Sequence, residues 1–189
     1  MQTYPQEYID YLLYFHTERD LFECHEVLEE YWKKNPECRF GTSWVGLIQV
    51  AVGLYHQRRG NLKGAAKMLA SASHQLSETA LNELGLDGEH FLQSIQARGN
   101  QIQENPALPY EDFNIPIKDP NLLRICLQTA EQKQLQWLKS SDLSNIQLLH
   151  KHTLRDRSEV IQERENQYKL RVHMRKAEGE GHGQNISRR

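Results

Sequence analysis

From Phe40 to Gln57 the chain carries no charged residue, and Trp44, Val45, Leu47, Ile48, Val50, Val52, Leu54 and Tyr55 place apolar groups around nearly the whole circumference of a helix drawn through it. Such a helix is stable only when it is covered on most sides. A membrane would cover it, but a spanning helix needs about 20 mostly apolar residues, and Gly41, Thr42, Ser43, Gly46, Gln49, Gly53, His56 and Gln57 interrupt this run. The run is therefore read as a central core helix that starts at Thr42 or Ser43. It ends at Arg58-Arg59-Gly60-Asn61, where glycine supplies a left-handed cap. The rest of the chain must wrap it.

The neighbouring segments have the spacing to do so. Tyr8, Leu12 and Phe15 recur at helical spacing after Pro5, which predicts helix one over residues 5 to 18. Asp20 with Glu23 three residues on is an N-cap signature, opening helix two from Leu21 to Lys34, and Asn35-Pro36 stops it. Helix four is expected from Leu62 to Leu84, and a fifth from Asp87 to Asn100. No run has the two-residue period of a strand, so the fold class is all-α, an antiparallel helical bundle.

Residues 105–120, NPALPYEDFNIPIKDP, exclude regular helix through Pro106, Pro109, Pro116 and Pro120. Leu108 and Tyr110, then Phe113, Ile115 and Ile117, fall at every second position, so one side of this extended strap can lie on the core. The expected organisation is a helical core over 1–104, the belt over 105–120, C-terminal helices over 121–177 and a disordered tail over 178–189. The first C-terminal helix runs from Asp119 or Pro120 to Lys139, and a long charged one from Ser144 to Lys176.

With 189 residues one core is expected. A net charge of −2 gives no overall field for nucleic acid or an anionic membrane, even though the stretch from Lys151 onward is basic. Neither is expected as a partner. A protein bound through the C-terminal helix, or a second copy of the chain, remains open. Cys24, Cys38 and Cys126 form no C-x-x-C pair, and the N-terminus has no Lys or Arg before Arg19, so a reducing cytoplasm is expected rather than export.

Chemistry is concentrated on helix two. At about 100° per residue, Leu21, Cys24, Leu28, Tyr31 and Trp32 form its apolar face, while Glu23, Glu26 and Glu30 fall on the solvated side. His25 lies beside Trp32 within the apolar sector, and Glu29 stands one turn on at its edge. On helix three, Gln49 and His56 are seven apart and share a stripe with Val45 and Val52. Antiparallel packing would set His25 and Glu29 against Gln49 and His56 in a dry chamber. Two imidazoles, a carboxylate and an amide suit a borderline divalent ion with one position left open. They suit a metal-free hydrogen-bonded network equally well. Phe22, Trp32 and Glu26 complete the pocket, Trp32 as an apolar wall.

The zincin pattern H-E-x-x-H is not met, because the sequence reads H-E-V-L-E. His16, His74, His90, His150, His152, His173 and His182 are expected on the surface, with His16 an outside candidate for the site because it is close in sequence to helix two.

The runs YFHTERDLFECHEVLEEYWKKN and WVGLIQVAVGLYHQRRGNLKGAAKML resemble the bacterial and archaeal domain-of-unknown-function 309 family, whose signature H-x-x-x-E-x-x-W/Y is matched by His25, Glu29 and Trp32. Phe22, Glu23, Glu26, Gln49, His56, Arg59, Gly60, Asn61, Gly64 and Ala65 fit the wider pattern. The resemblance covers residues 8–76, and the belt and C-terminal helix look like additions found in longer Bacillus-type members. It implies a small helical bundle with a signature that has been suggested to bind metal, and it implies no particular reaction. Two function classes follow: a metal-dependent enzyme or metal-binding protein, or a helical interaction module whose polar cluster is structural.

Overall fold

The computed structural model describes residues 3–105 and 107–154. The chain divides into a compact unit ending at Lys151 and a second unit from His152 onward. Of the second only His152–Leu154 is described, so most of the expected long C-terminal helix and the whole expected tail lie outside the described residues.

The chain is an all-α bundle. Helix α1 (Gln6–Leu13) runs into a π-helical turn over Tyr14–Glu18. Helices α2 (Leu21–Lys34), α3 (Gly41–Arg58) and α4 (Leu62–Gln75) follow. Then come α5 (Glu78–Glu83), α6 (Gly88–Glu104) and α7 (Pro120–Gln132). The single turns α8 (Ile146–Leu149) and α9 (Lys151–Leu154) close the described chain. Caps fix most starts: the carboxylate of Asp20 accepts from the Glu23 amide, and Asn61, Ser77, Asp87 and Asp119 cap α4 to α7 in the same manner.

The charge-free run is the centre of the bundle, as its composition requires. Trp44 is fully buried, with the rings of Tyr8, Tyr31 and Phe40 within 6 Å of its own. Ring contacts Phe22–Tyr55 and Tyr31–Trp44 show that α2 and α3 run antiparallel. On the other side of α3, Gly46 and Gly53 let α4 approach so closely that a Cβ there would stand 2.5 Å from Leu76 and 3.0 Å from Leu69. The hydroxyls of Tyr8 and Tyr11 are buried with their rings and donate to the carbonyls of Leu84 and Leu47.

Helix one does not run regularly to residue 18. The side chains of His16 and Thr17 donate to the carbonyls of Leu12 and Leu13, four residues back, and the backbone widens into the π turn before Arg19 reverses it at φ 53°. His16, expected at the surface, is 1% exposed because the strap and the indole of Trp137 cover it. Helix four is likewise two helices. The Gly46 contact pins Leu76, and Ser77 caps a new helix there. Helix seven ends at Gln132 rather than Lys139, with Gln134 and Leu138 in left-handed conformations. From Ser144 to Leu154 two short turns interrupted at His150 replace the start of a continuous helix.

The strap lies on the core through Phe113 and Ile115, both buried, while Glu111, Asn114 and Lys118 face water. Its C-terminal half is fixed by backbone bonds, from the amide of Asp87 to the carbonyl of Pro116 and from the amides of Lys118 and Asp119 to the carbonyl of Gly85. Among the described residues, no helix is long and apolar enough to cross a membrane.

Candidate functional site

Helix α2 holds the cluster on the side it turns partly to solvent. His25 Nε2 lies 3.3 Å from Glu29 Oε2, one turn along, and His25 Nδ1 lies 3.1 Å from Glu26 Oε1. Lys33, a further turn on, places Nζ 3.0 Å from the other oxygen of Glu29. One ligand-type atom from each of His25, Glu26 and Glu29 falls within 4.8 Å of the others.

The cluster is open rather than dry. The side chains of His25, Glu26 and Glu29 are 27%, 34% and 31% exposed, so water and ions reach all three. Glu26, placed on the solvated side by its helical angle, bends back to the imidazole. The ring of Phe22 stands 6.1 Å from that of His25 and 6.2 Å from that of Tyr55, walling the cluster off from the end of α3. Trp32 is half-buried against the core, its Nε1 3.8 Å from the position a Cβ on Gly41 would take.

His56 does not join this group. In the antiparallel register set by Phe22–Tyr55 and Tyr31–Trp44, His56 falls beside the start of α2 and Gln49 beside its middle. Seven residues of helix separate the two by about 10 Å along α3. His56 Nδ1 lies 3.1 Å from the Asn61 side-chain amide at the α3–α4 turn. Burial first, and then the charge of Arg59, lower its proton affinity. The side-chain oxygen of Gln49 is buried without a hydrogen-bond partner. Cys24, whose angle pointed it into the core, is fully buried, with Sγ 3.5 Å from the Tyr11 carbonyl, and burial pushes its thiol well up. Lys33 had not been singled out, although its spacing of four from Glu29 was a legible signal.

The chemistry of the group follows from proton counting. A neutral imidazole has one N–H and one lone pair, so it can satisfy only one of two flanking carboxylates. Both are satisfied when the ring carries a second proton, or when a metal ion takes one nitrogen together with the carboxylate beside it. In the second case the remaining N–H keeps its carboxylate, the arrangement that orients a ligating histidine.

A small all-helical protein with a His/Glu/Glu cluster on one helix of an antiparallel pair is the class that fold and site define. The family model described as "Domain of unknown function (DUF309)" matches residues 8–68, from the first turn of α1 into α4, and so includes the whole cluster. The chain is also similar to the uncharacterized protein YpuF of Bacillus subtilis (strain 168), at 45% identity over 170 residues that cover 89% of this chain and 97% of that protein. The chain belongs to the DUF309 family. No solved structure matches it.

Proposed function

We propose that the protein binds a divalent metal ion at the head of α2, with His25 Nε2 and Glu29 facing the ion and Glu26 holding the imidazole through Nδ1–H. One observation supports this above the others: both ring nitrogens of His25 face carboxylates within 3.3 Å. Mixed nitrogen and oxygen donors suit a borderline ion such as zinc, manganese or iron(II). So few protein donors leave coordination positions to water, and a bound ion there would supply a Lewis acid or an activated water. The three thiols are free, which supports a reducing compartment, the cytoplasm, as the site of action.

A second reading is supported by Lys33. Its ammonium already sits on Glu29, and all four side chains belong to a single helix. Under that reading the cluster is an ion-pair network on a non-catalytic interaction module. Elemental analysis of protein purified without a histidine tag separates the two. Stoichiometric metal in the parent, lost in His25→Ala and Glu29→Gln, is the expected result. A parent that stays metal-free after incubation with zinc, manganese and iron(II), with Glu29→Gln as stable as the parent, would overturn it.

A further inference from the structure

The middle of the strap is held by side chains, and two of them come from the irregular turn that ends α1. His16 Nδ1–H donates to the Leu12 carbonyl at 2.9 Å, which fixes the tautomer and leaves Nε2 as an acceptor; the Ile115 amide donates to it at 3.1 Å. Trp137 stacks on the same ring at 4.6 Å between centroids. Three residues on, Arg19 donates to the carbonyls of Phe113 and Lys139 and to the side chain of Asn114. The strap and the segment after α7 therefore share one attachment point.

We infer that the His16–Arg19 turn is a proton-operated latch: protonation of His16 frees the strap around Ile115 and the Trp137 segment from a helical core that stays folded. The attachment needs a lone pair on Nε2, and an imidazolium has none. With Nδ1 already donating to Leu12, the added proton would point at the Ile115 N–H, donor against donor. The new charge would also lie in a buried place beside the Arg19 guanidinium.

Among the described residues no acid stands ready to neutralise it. Of the charged groups on the packed elements, Arg19 acts against the protonated ring. The strap's Asp112 is taken up by the amide and hydroxyl of Ser141, and Lys139 presents its carbonyl to Arg19. Burial, with Arg19 acting in the same sense, pushes the His16 imidazole down to about 4. The ring is thus neutral and latched at neutral pH.

Opening is favoured by protons because the ring, once the strap and Trp137 leave it, regains its ordinary affinity. The opening equilibrium should rise nearly tenfold per pH unit below the ordinary histidine value and level off toward the latched value near 4, a gain of roughly 80-fold between pH 6.5 and 4. Amide hydrogen exchange on the full chain reads this directly. The protection factor of the Ile115 amide should fall by about that factor between pH 6.5 and 4 and should stay well below that of Val50 in α3, which exchanges only when the helical core itself unfolds. In His16→Gln, whose amide can both donate and accept, Ile115 protection should be flat over the same range. Protection at Ile115 equal to that at Val50 throughout the range, which would mean that the strap opens only with the core, or an unchanged slope in His16→Gln, would overturn the latch. Should the variant not fold, the His16 ring-nitrogen shifts of the parent serve instead: a latch requires Nδ1–H at neutral pH and a titration that tracks Ile115 opening, and a ring that titrates with the strap still protected would overturn it.

Discussion

The guanidinium of Arg58, at the end of α3, donates to the backbone carbonyl of Arg19 at 2.6 Å, so the residue that reverses the chain after α1 is held by the last turn of the central helix. Arg58 is 8% exposed and its Nε is without a hydrogen-bond partner. Its contribution is therefore concentrated in the bond to Arg19 and a long one, 3.4 Å, to the Leu148 carbonyl. Arg58→Met keeps the stem, removes the charge-assisted bond and leaves the Arg19 carbonyl only the amide of Leu21. A loss of about 2 kcal/mol is expected, read from the urea midpoint at constant slope.

Arg19 sits at φ 53°, where glycine would relieve about 1 kcal/mol of backbone strain. Its side chain, however, makes four hydrogen bonds, to the carbonyls of Phe15, Phe113 and Lys139 and to Asn114. Arg19→Gly should therefore destabilise by about 3 kcal/mol net. A variant as stable as the parent in thermal melts would show that the strap does not depend on these bonds.

Global stability should weaken on mild acidification. The folded His16 value near 4 lies below the unfolded value of 6.5, so the unfolded chain binds the extra proton first. This contribution is complete above about pH 6.5 and shrinks as pH falls toward 4, by about 3 kcal/mol over that interval. His16→Gln should show a shallower stability–pH curve across the same window, measured by urea unfolding at half-unit steps.

Gly88 and Gly46 should differ in their tolerance of alanine. A Cβ on Gly88 would stand 2.5 Å from the carbonyl oxygen of Glu78, which is backbone, whereas one on Gly46 meets the movable end of Leu76. Both variants should lose stability, by about 1–3 kcal/mol for Gly46→Ala and by more for Gly88→Ala. The reverse order in melting temperature would count against the close seating of α6 on α5.

The donors at the head of α2 should separate by role. Glu26→Gln should weaken metal affinity about 10- to 100-fold, as loss of an orienting partner does, while Glu29→Gln abolishes binding. His56→Ala should leave it unchanged, and Lys33→Met should tighten it by freeing Glu29. Titration calorimetry with zinc checks all four, and equal loss in Glu26→Gln and His56→Ala would restore a site shared between α2 and α3.

Where local chemistry decides, the sequence was readable. The bounds of α2 follow from Asp20 and Asn35-Pro36, and the burial of α3 follows from its charge-free run. The break at Leu76–Ser77 was hidden because Leu81 and Leu84 continue an apolar pattern, while its cause, the press of α3 through Gly46, is tertiary. The end of α7 is marked by neither glycine nor proline, only by Gln134 and Leu138 taking left-handed conformations. His16 reads as a helix-end surface residue until the strap is laid over it. At the site, His25 and Glu29 are legible from their angles, whereas Glu26 is a pocket residue whose helical angle points to the solvated side while its carboxylate reaches the imidazole. A helical angle fixes where Cβ starts, and the three torsions of a glutamate decide where the carboxylate ends.

The hydroxyl of Tyr8 reaches the carbonyl of Leu84, sixteen residues past the last position that the family model matches. The stretch that the family model matches and the cooperative unit thus have different borders in this molecule. A peptide trimmed to residues 8–68 would keep every metal-donor candidate on α2 yet lose Leu81, Leu86 and Phe91, which are buried in the same core cluster as Tyr8, Tyr11 and Trp44. Anyone wishing to study the cluster in isolation should expect an aggregating fragment unless those later helices travel with it.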